Sequence, residues 1–218
     1  MGGIHISGDG EPMRILGAWV GNNVDQATVW SPVIDKIRNN LAHWDKSHPT
    51  IFGKRLIVQM IVGGMSQYLT MAQAMPKQVE EILEKIIHAF IWEDSRPSVS
   101  LDTLCLPIGQ GGIKLLNLSS RNKAIEIMWL KSYLTLGQKR PAWAYIADVL
   151  ISESVTKSSG AISNLAQINV YLQTWRAGLH PGSTLPKTLQ NMLKIGKKFG
   201  LNFTSLKLSD SVKEKLPA

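Results

Sequence analysis

The chain has 218 residues, of which 44% are apolar and 18% charged, with a net charge of +8 and a single cysteine, Cys105. That length can bury a core without staples, and the composition is too apolar for long intrinsic disorder. One cysteine excludes both an intrachain disulfide scaffold and a four-cysteine zinc site.

The first twenty residues read as a hairpin. Ile4-His5-Ile6 is a short alternating run, Gly8-Asp9-Gly10-Glu11 carries turn chemistry, and Met13 to Val20 is a second extended run closed by Gly21-Asn22-Asn23. Helical periodicity follows. Ser31-Pro32 reads as a cap and first turn, and the segment to Lys46 places Val33, Ile34, Ile37, Leu41 and Trp44 on one face. A second helix is expected from near Phe52 past Tyr68, with a kink, break or close crossing at Gly63-Gly64, where each glycine costs roughly 1 kcal/mol against alanine. Met75-Pro76 opens the clearest helix. Val79, Ile82, Leu83, Ile86 and Phe90 form its apolar stripe, opposite Glu80, Glu81, Glu84 and Lys85.

From Ser95 to Leu118 prolines and glycines dominate, and two extended pieces, Val99–Leu106 and Ile113–Leu116, are expected around the Gly109, Gly111, Gly112 turn. Ser119 or Ser120 should cap a helix to about Leu136, apolar nearly all round and therefore buried, with Trp129 at its middle. Pro141 opens a helix to Ile151. Residues 152–163 read as a linker, and further helices are expected over 162–177 and 185–199, the last stopped by Gly200.

The charge is unevenly placed. Residues 1–150 carry fifteen basic and thirteen acidic side chains, whereas residues 186–218 carry seven lysines against Asp210 and Glu214. A basic tail of this kind suits phosphate backbones or an anionic surface, or simply solubilises the chain. No stretch is apolar over the roughly 18 residues of a membrane span, and the start, MGGIHISGDG, lacks the basic-then-apolar order of a secretory signal. The expectation is an intracellular protein of nucleus or cytoplasm.

The order of several pieces resembles the region downstream of the polymerase palm in non-LTR (LINE-type) retrotransposon reverse transcriptases, particularly fungal ones. These pieces are ILGAWVGN at 15–22, Trp30 and Trp44, GKRLIVQMIV at 53–62, Gln67-Tyr68, Pro76, AFIWED at 89–94, and CLPIGQGGIKLLNLSSRNKAIEIMWLKSYL at 105–134. The resemblance covers residues 13–135. It implies a primer-grip-like hairpin at 1–22, thumb-like helices at 23–94, and a Gly/Pro-rich linker with a buried helix at 95–136. A C-terminal helical region with a basic tail at 137–218 follows the matched part. The fold expected is mainly α, a helical thumb-like bundle with a small N-terminal hairpin and a short extended segment.

The two palm aspartates that hold catalytic metal ions in that family lie upstream of every matched piece. No position here takes their role, so no catalytic residue, metal or cofactor is expected. The function this implies is that of a reverse-transcriptase remnant limited to non-specific binding of an RNA or DNA duplex through its phosphates. The competing reading is a helical protein-interaction module with no nucleic-acid role.

Candidate contacts follow. Lys46, Lys54 and Arg55 gather at the start of the second helix, where free N–H groups favour anions and Gly53 would admit a phosphate; the alternative is an ordinary helix start. Arg121 and Lys123 form a second candidate. Lys194, Lys197 and Lys198, with Lys187, mark a lysine stripe on the last helix, open to nucleic acid, a membrane surface or plain solvation. Trp44, Phe90, Trp92 and Trp129 are expected in the core, with Gly111 and Gly112 shaping the linker turn. Glu93-Asp94 reads as a solvated helix end, and Cys105 as an inert buried thiol.

Overall fold

The computed structural model describes residues 8–21, 23–93, 96–135, 137–154 and 185–200. It is mainly helical with a small N-terminal antiparallel hairpin. The strands are β1 (Met13–Ile15) and β2 (Ala18–Val20), in the register Met13↔Val20 and Ile15↔Ala18. The single expected strand over 13–20 is thus itself the hairpin. Leu16 (φ +49°) and Gly17 (φ +89°) make its two-residue turn, both in the left-handed region that two-residue hairpin loops require. The expected partner strand at 4–6 lies outside the described residues.

Helix α1 (Gln26–Asp45) starts six residues before Pro32, capped by the Asp25 carboxylate, which accepts from Ala27 N–H and Thr28 N–H at 3.0 and 3.3 Å. Pro32 therefore lies inside the helix, and Ser31 is no cap. Ile34, Ile37 and Leu41 are buried with Trp30, but Trp44 is 41% exposed, a correction to its expected core role. Helix α2 (Ile51–Val58) is capped by Thr50. It passes through a π-helical turn at Gln59–Gly63 into α3 (Gly64–Gln73), so the Gly63-Gly64 irregularity is a widened turn and not a break.

Helix α4 (Lys77–Trp92) buries Val79, Leu83, Ile87, Phe90 and Ile91. Ile82 is exposed instead, and Glu80, expected in solvent, is buried. Ser100 caps a short helix α5 (Leu101–Cys105), which replaces the extended piece expected at 99–106. The chain then turns through Ile108–Gln110 and Gly111 (φ +83°). At Gly112 a Cβ would lie 2.1 Å from the Leu106 carbonyl oxygen, so only glycine fits. Residues 113–116 form neither strand nor helix, and Lys114 turns left-handed at φ +56°, so the extended piece expected at 113–116 is interrupted. Ile113 N–H and Leu115 N–H both donate to Leu104 O at 3.0 Å, which ties this segment to α5 without a sheet.

Asn117, and neither serine, caps α6 (Leu118–Tyr133), accepting from Ser120 N–H at 2.8 Å. Helices α7 (Ala142–Glu153) and α8 (Lys187–Lys198) follow. The expected helix at 162–177 and nearly all of the expected linker at 152–163 lie outside the described residues.

The chain divides into two compact units, the first ending at Asn122 inside α6. The core of the first joins Trp30, Ile37, Val58, Val62, Val79, Leu83 and Leu118, with Trp19 and Trp92 partly buried against it. The core of the second joins Leu130, Tyr133, Ala147, Ile151, Leu189, Met192 and Leu193. There α6 departs from expectation, because one side only is buried. Leu130 and Tyr133 are inside, while Ile127, Met128 and Trp129 are exposed, Trp129 by 41%. No helix among the described residues is long and apolar enough to cross a membrane.

Candidate nucleic-acid interface

The sequence-derived candidates separate into side chains committed inside the fold and side chains presented to solvent. Lys54 belongs to the first group. It is 4% exposed, and its Nζ donates to Phe90 O at 2.8 Å and to the Glu93 carboxylate, with Asp45 Oδ1 at 3.7 Å. The ammonium also lies 5.3 Å from the centre of the Phe90 ring. Lys54 at the start of α2 therefore joins the ends of α1 and α4, where a cation complements the α4 dipole and one of its terminal carbonyls.

Its donors face protein oxygens, so Lys54 is not a phosphate ligand here. Glu93 in turn is a partner of Lys54 and not merely a solvated helix end. Hydrogen bonding and charge from Lys54 hold the Glu93 carboxyl below the ordinary glutamate range. Around it, Gly53 N–H is taken by Thr50 Oγ1 at 3.3 Å, and a Cβ on Gly53 would meet Pro49 at 3.2 Å. Packing explains that glycine without a phosphate. Arg55 is half-buried with Nε donating to Lys114 O at 3.3 Å, while Lys46 at the α1 end is exposed.

Arg121 is also committed inside. Its guanidinium donates to Gly63 O at 3.3 Å, Ser66 Oγ at 2.8 Å, Thr70 Oγ1 at 3.3 Å and Asn122 Oδ1 at 3.0 Å. Asn122 Nδ2 then donates to Glu80 Oε2 at 2.7 Å, and Lys77 pairs with Glu80 Oε1 at 2.6 Å. Burial pulls the Arg121 pKa down, opposed by the Glu80 charge. Arg121 thus clamps the end of the π-helical turn to α6. Lys123 beside it is half-buried.

The α8 lysines remain. Leu189, Met192, Leu193 and Ile195 enter the second core, while Lys187, Lys194, Lys197 and Lys198 are all exposed. The expected division of this helix into a packing face and a lysine face is present. A further signal in the sequence strengthens it: no aspartate or glutamate occurs from Ser154 to Ser209, a span holding six lysines and Arg176. No carboxylate on α8 itself competes for its lysines, so all the charge on its exposed side is positive, the sign phosphate backbones attract.

Near α8 in the same unit, Arg140 is buried with Nη2 2.6 Å from Asp148 Oδ2, and Tyr133 Oη donates to the same carboxylate. Burial raises the Asp148 pKa, against the pull of Tyr133 and Arg140. This pair is internal structure. Cys105 is half-buried, and burial, then Asp102, pushes its thiol up, which disfavours the reactive thiolate. Among the described residues no group of three or more His, Cys, Asp or Glu is placed to hold a metal ion.

No family model matches the chain, and no curated protein and no solved structure is found to be similar to it.

Proposed function

We propose that this chain is a reverse-transcriptase remnant of the non-LTR retrotransposon type, which binds template–primer duplex without sequence preference and transfers no nucleotide itself. The hairpin followed by helices is the order the resemblance implies, and in that family the metal-binding aspartates lie upstream of the region resembled, so the region itself supplies binding rather than nucleotide transfer. The observation that carries the binding is the exposed lysine face of α8 in a span free of acidic residues. The contact is electrostatic, so affinity falls as salt rises and duplexes of different sequence compete equally.

The test is titration of a labelled duplex at several salt concentrations with the parent chain and with Lys194→Gln/Lys197→Gln/Lys198→Gln. Removing one lysine–phosphate pair lowers the log–log salt slope by about 0.9 for a B-form duplex, so the triple variant is expected to shed roughly two to three units of slope and most of its affinity. An equal slope in both proteins overturns the reading. Primer extension with magnesium or manganese is expected to give no product from the pure chain; template-dependent extension overturns the non-catalytic part.

A further inference from the structure

The first unit presents a surface that the lysine reading leaves unused. Phe52, Leu56, Met60, Gly64 and Tyr68 are all exposed and follow one another in steps of four along α2, the π-helical turn and α3. In a regular α-helix steps of four drift by about 40° each; the wider π turn takes up part of that drift and keeps the five positions on one face. Beside them the hairpin tip holds Leu16, 91% exposed and strained at φ +49°, fixed by Tyr68 Oη donating to Leu16 O. A large apolar side chain kept strained in water points to a surface that something covers.

Gly64 shows what kind of surface. Its φ is −62°, which any residue adopts, and a Cβ placed there meets no atom within 4 Å. Nothing inside the fold requires glycine, which weakens a helix; its value is the close approach it allows to a backbone from outside.

We propose that this face is the interface of a symmetric dimer in which two copies of the chain cross antiparallel at Gly64. Three observations favour a second copy. First, the face is self-complementary: with Gly64 at the two-fold axis, Met60 faces the partner's Tyr68, a sulfur–aromatic contact, and Leu56 faces the partner's Ala72, large against small. Second, from Leu56 to Pro76 the sequence has no charged residue, so a phosphate finds no cation on this stretch whereas the same uncharged stretch of a second copy meets it without buried charge. Third, Leu16, Phe52, Leu56, Met60 and Tyr68 are each more than half exposed, which supplies the large apolar and aromatic side chains that the centre of a protein–protein interface is built from.

Sedimentation velocity of the full chain under serial dilution tests it. The parent is expected to show a monomer–dimer equilibrium, and Gly64→Leu to weaken association by at least roughly tenfold with an unchanged far-ultraviolet spectrum. Gly64→Cys in a Cys105→Ser background is expected to cross-link as a dimer on oxidation, whereas Asp35→Cys, on the exposed side of α1, is not. A parent that stays monomeric at every concentration, or a Gly64→Cys variant that does not cross-link, overturns the proposal. So does a monomeric parent whose affinity for duplex or for anionic vesicles falls on Gly64→Leu, which would assign the face to that other occupant. Lysine variants of α8 that lose duplex binding yet still dimerise separate this proposal from the functional one.

Discussion

Lys54 shows how a charged side chain at a helix start can be spent wholly inside a fold. Replacing it by methionine keeps the aliphatic stem but removes a buried hydrogen bond to Phe90 O and the partner of Glu93. The cost is expected at about 1–3 kcal/mol, the range for leaving a buried acceptor unpaired, read from urea midpoints, with duplex affinity per folded molecule unchanged. Glu93 adds a pH signature. Its carboxyl is held below the ordinary range, so the folded chain releases that proton more readily than the unfolded one. The stabilisation from this pair is complete above the ordinary glutamate pKa and is lost as pH falls through the lowered value. Glu93→Gln should therefore flatten the acid limb of the stability curve; urea midpoints measured from about pH 7 to about pH 3 check it. The burial of Lys54 was not legible in the sequence, because its partners Phe90 and Glu93 are brought to it by tertiary packing of another helix.

At the scale of elements, legibility follows the strength of the local pattern. Helix α4 and helix α8 were readable because an apolar stripe, an opening proline and, for α8, a closing glycine all agree. The hairpin lies one strand later than the apolar runs suggest because Leu16-Gly17 lacks the Asn-Gly or Asp-Gly signature of a two-residue turn; tertiary contact with Tyr68 holds it instead. Helix α6 differs in the opposite sense, since the apolar run Ile127 to Leu130 reaches every side of one turn and does not say which side is covered. With Trp129 41% exposed and set edge-to-face against Trp143 at 5.1 Å, Trp129→Ala should cost about 1–2 kcal/mol, little more than the ring pair itself. Tyr133, fully buried on the same helix, should cost about 3–5 kcal/mol on truncation to alanine. Urea melts of the two variants decide the order, and a larger loss at Trp129 would contradict the assignment of the buried side.

At the scale of the whole molecule, the lysine helix and the apolar face fall in different compact units. The cationic helix α8 belongs to the second compact unit and the uncharged stripe of α2 and α3 to the first. The basic tail was visible from composition; the self-complementary face was not, because an apolar run in sequence reads as core until exposure is known. The indole pair of the second unit has a further, optical consequence. Two rings 5.1 Å apart at 82° couple their electronic transitions, so this unit should contribute an exciton couplet to the far-ultraviolet circular dichroism. Both rings belong to the second unit, so Trp143→Phe should abolish the couplet while leaving the helical bands in place. The couplet then reports the melting of that unit alone.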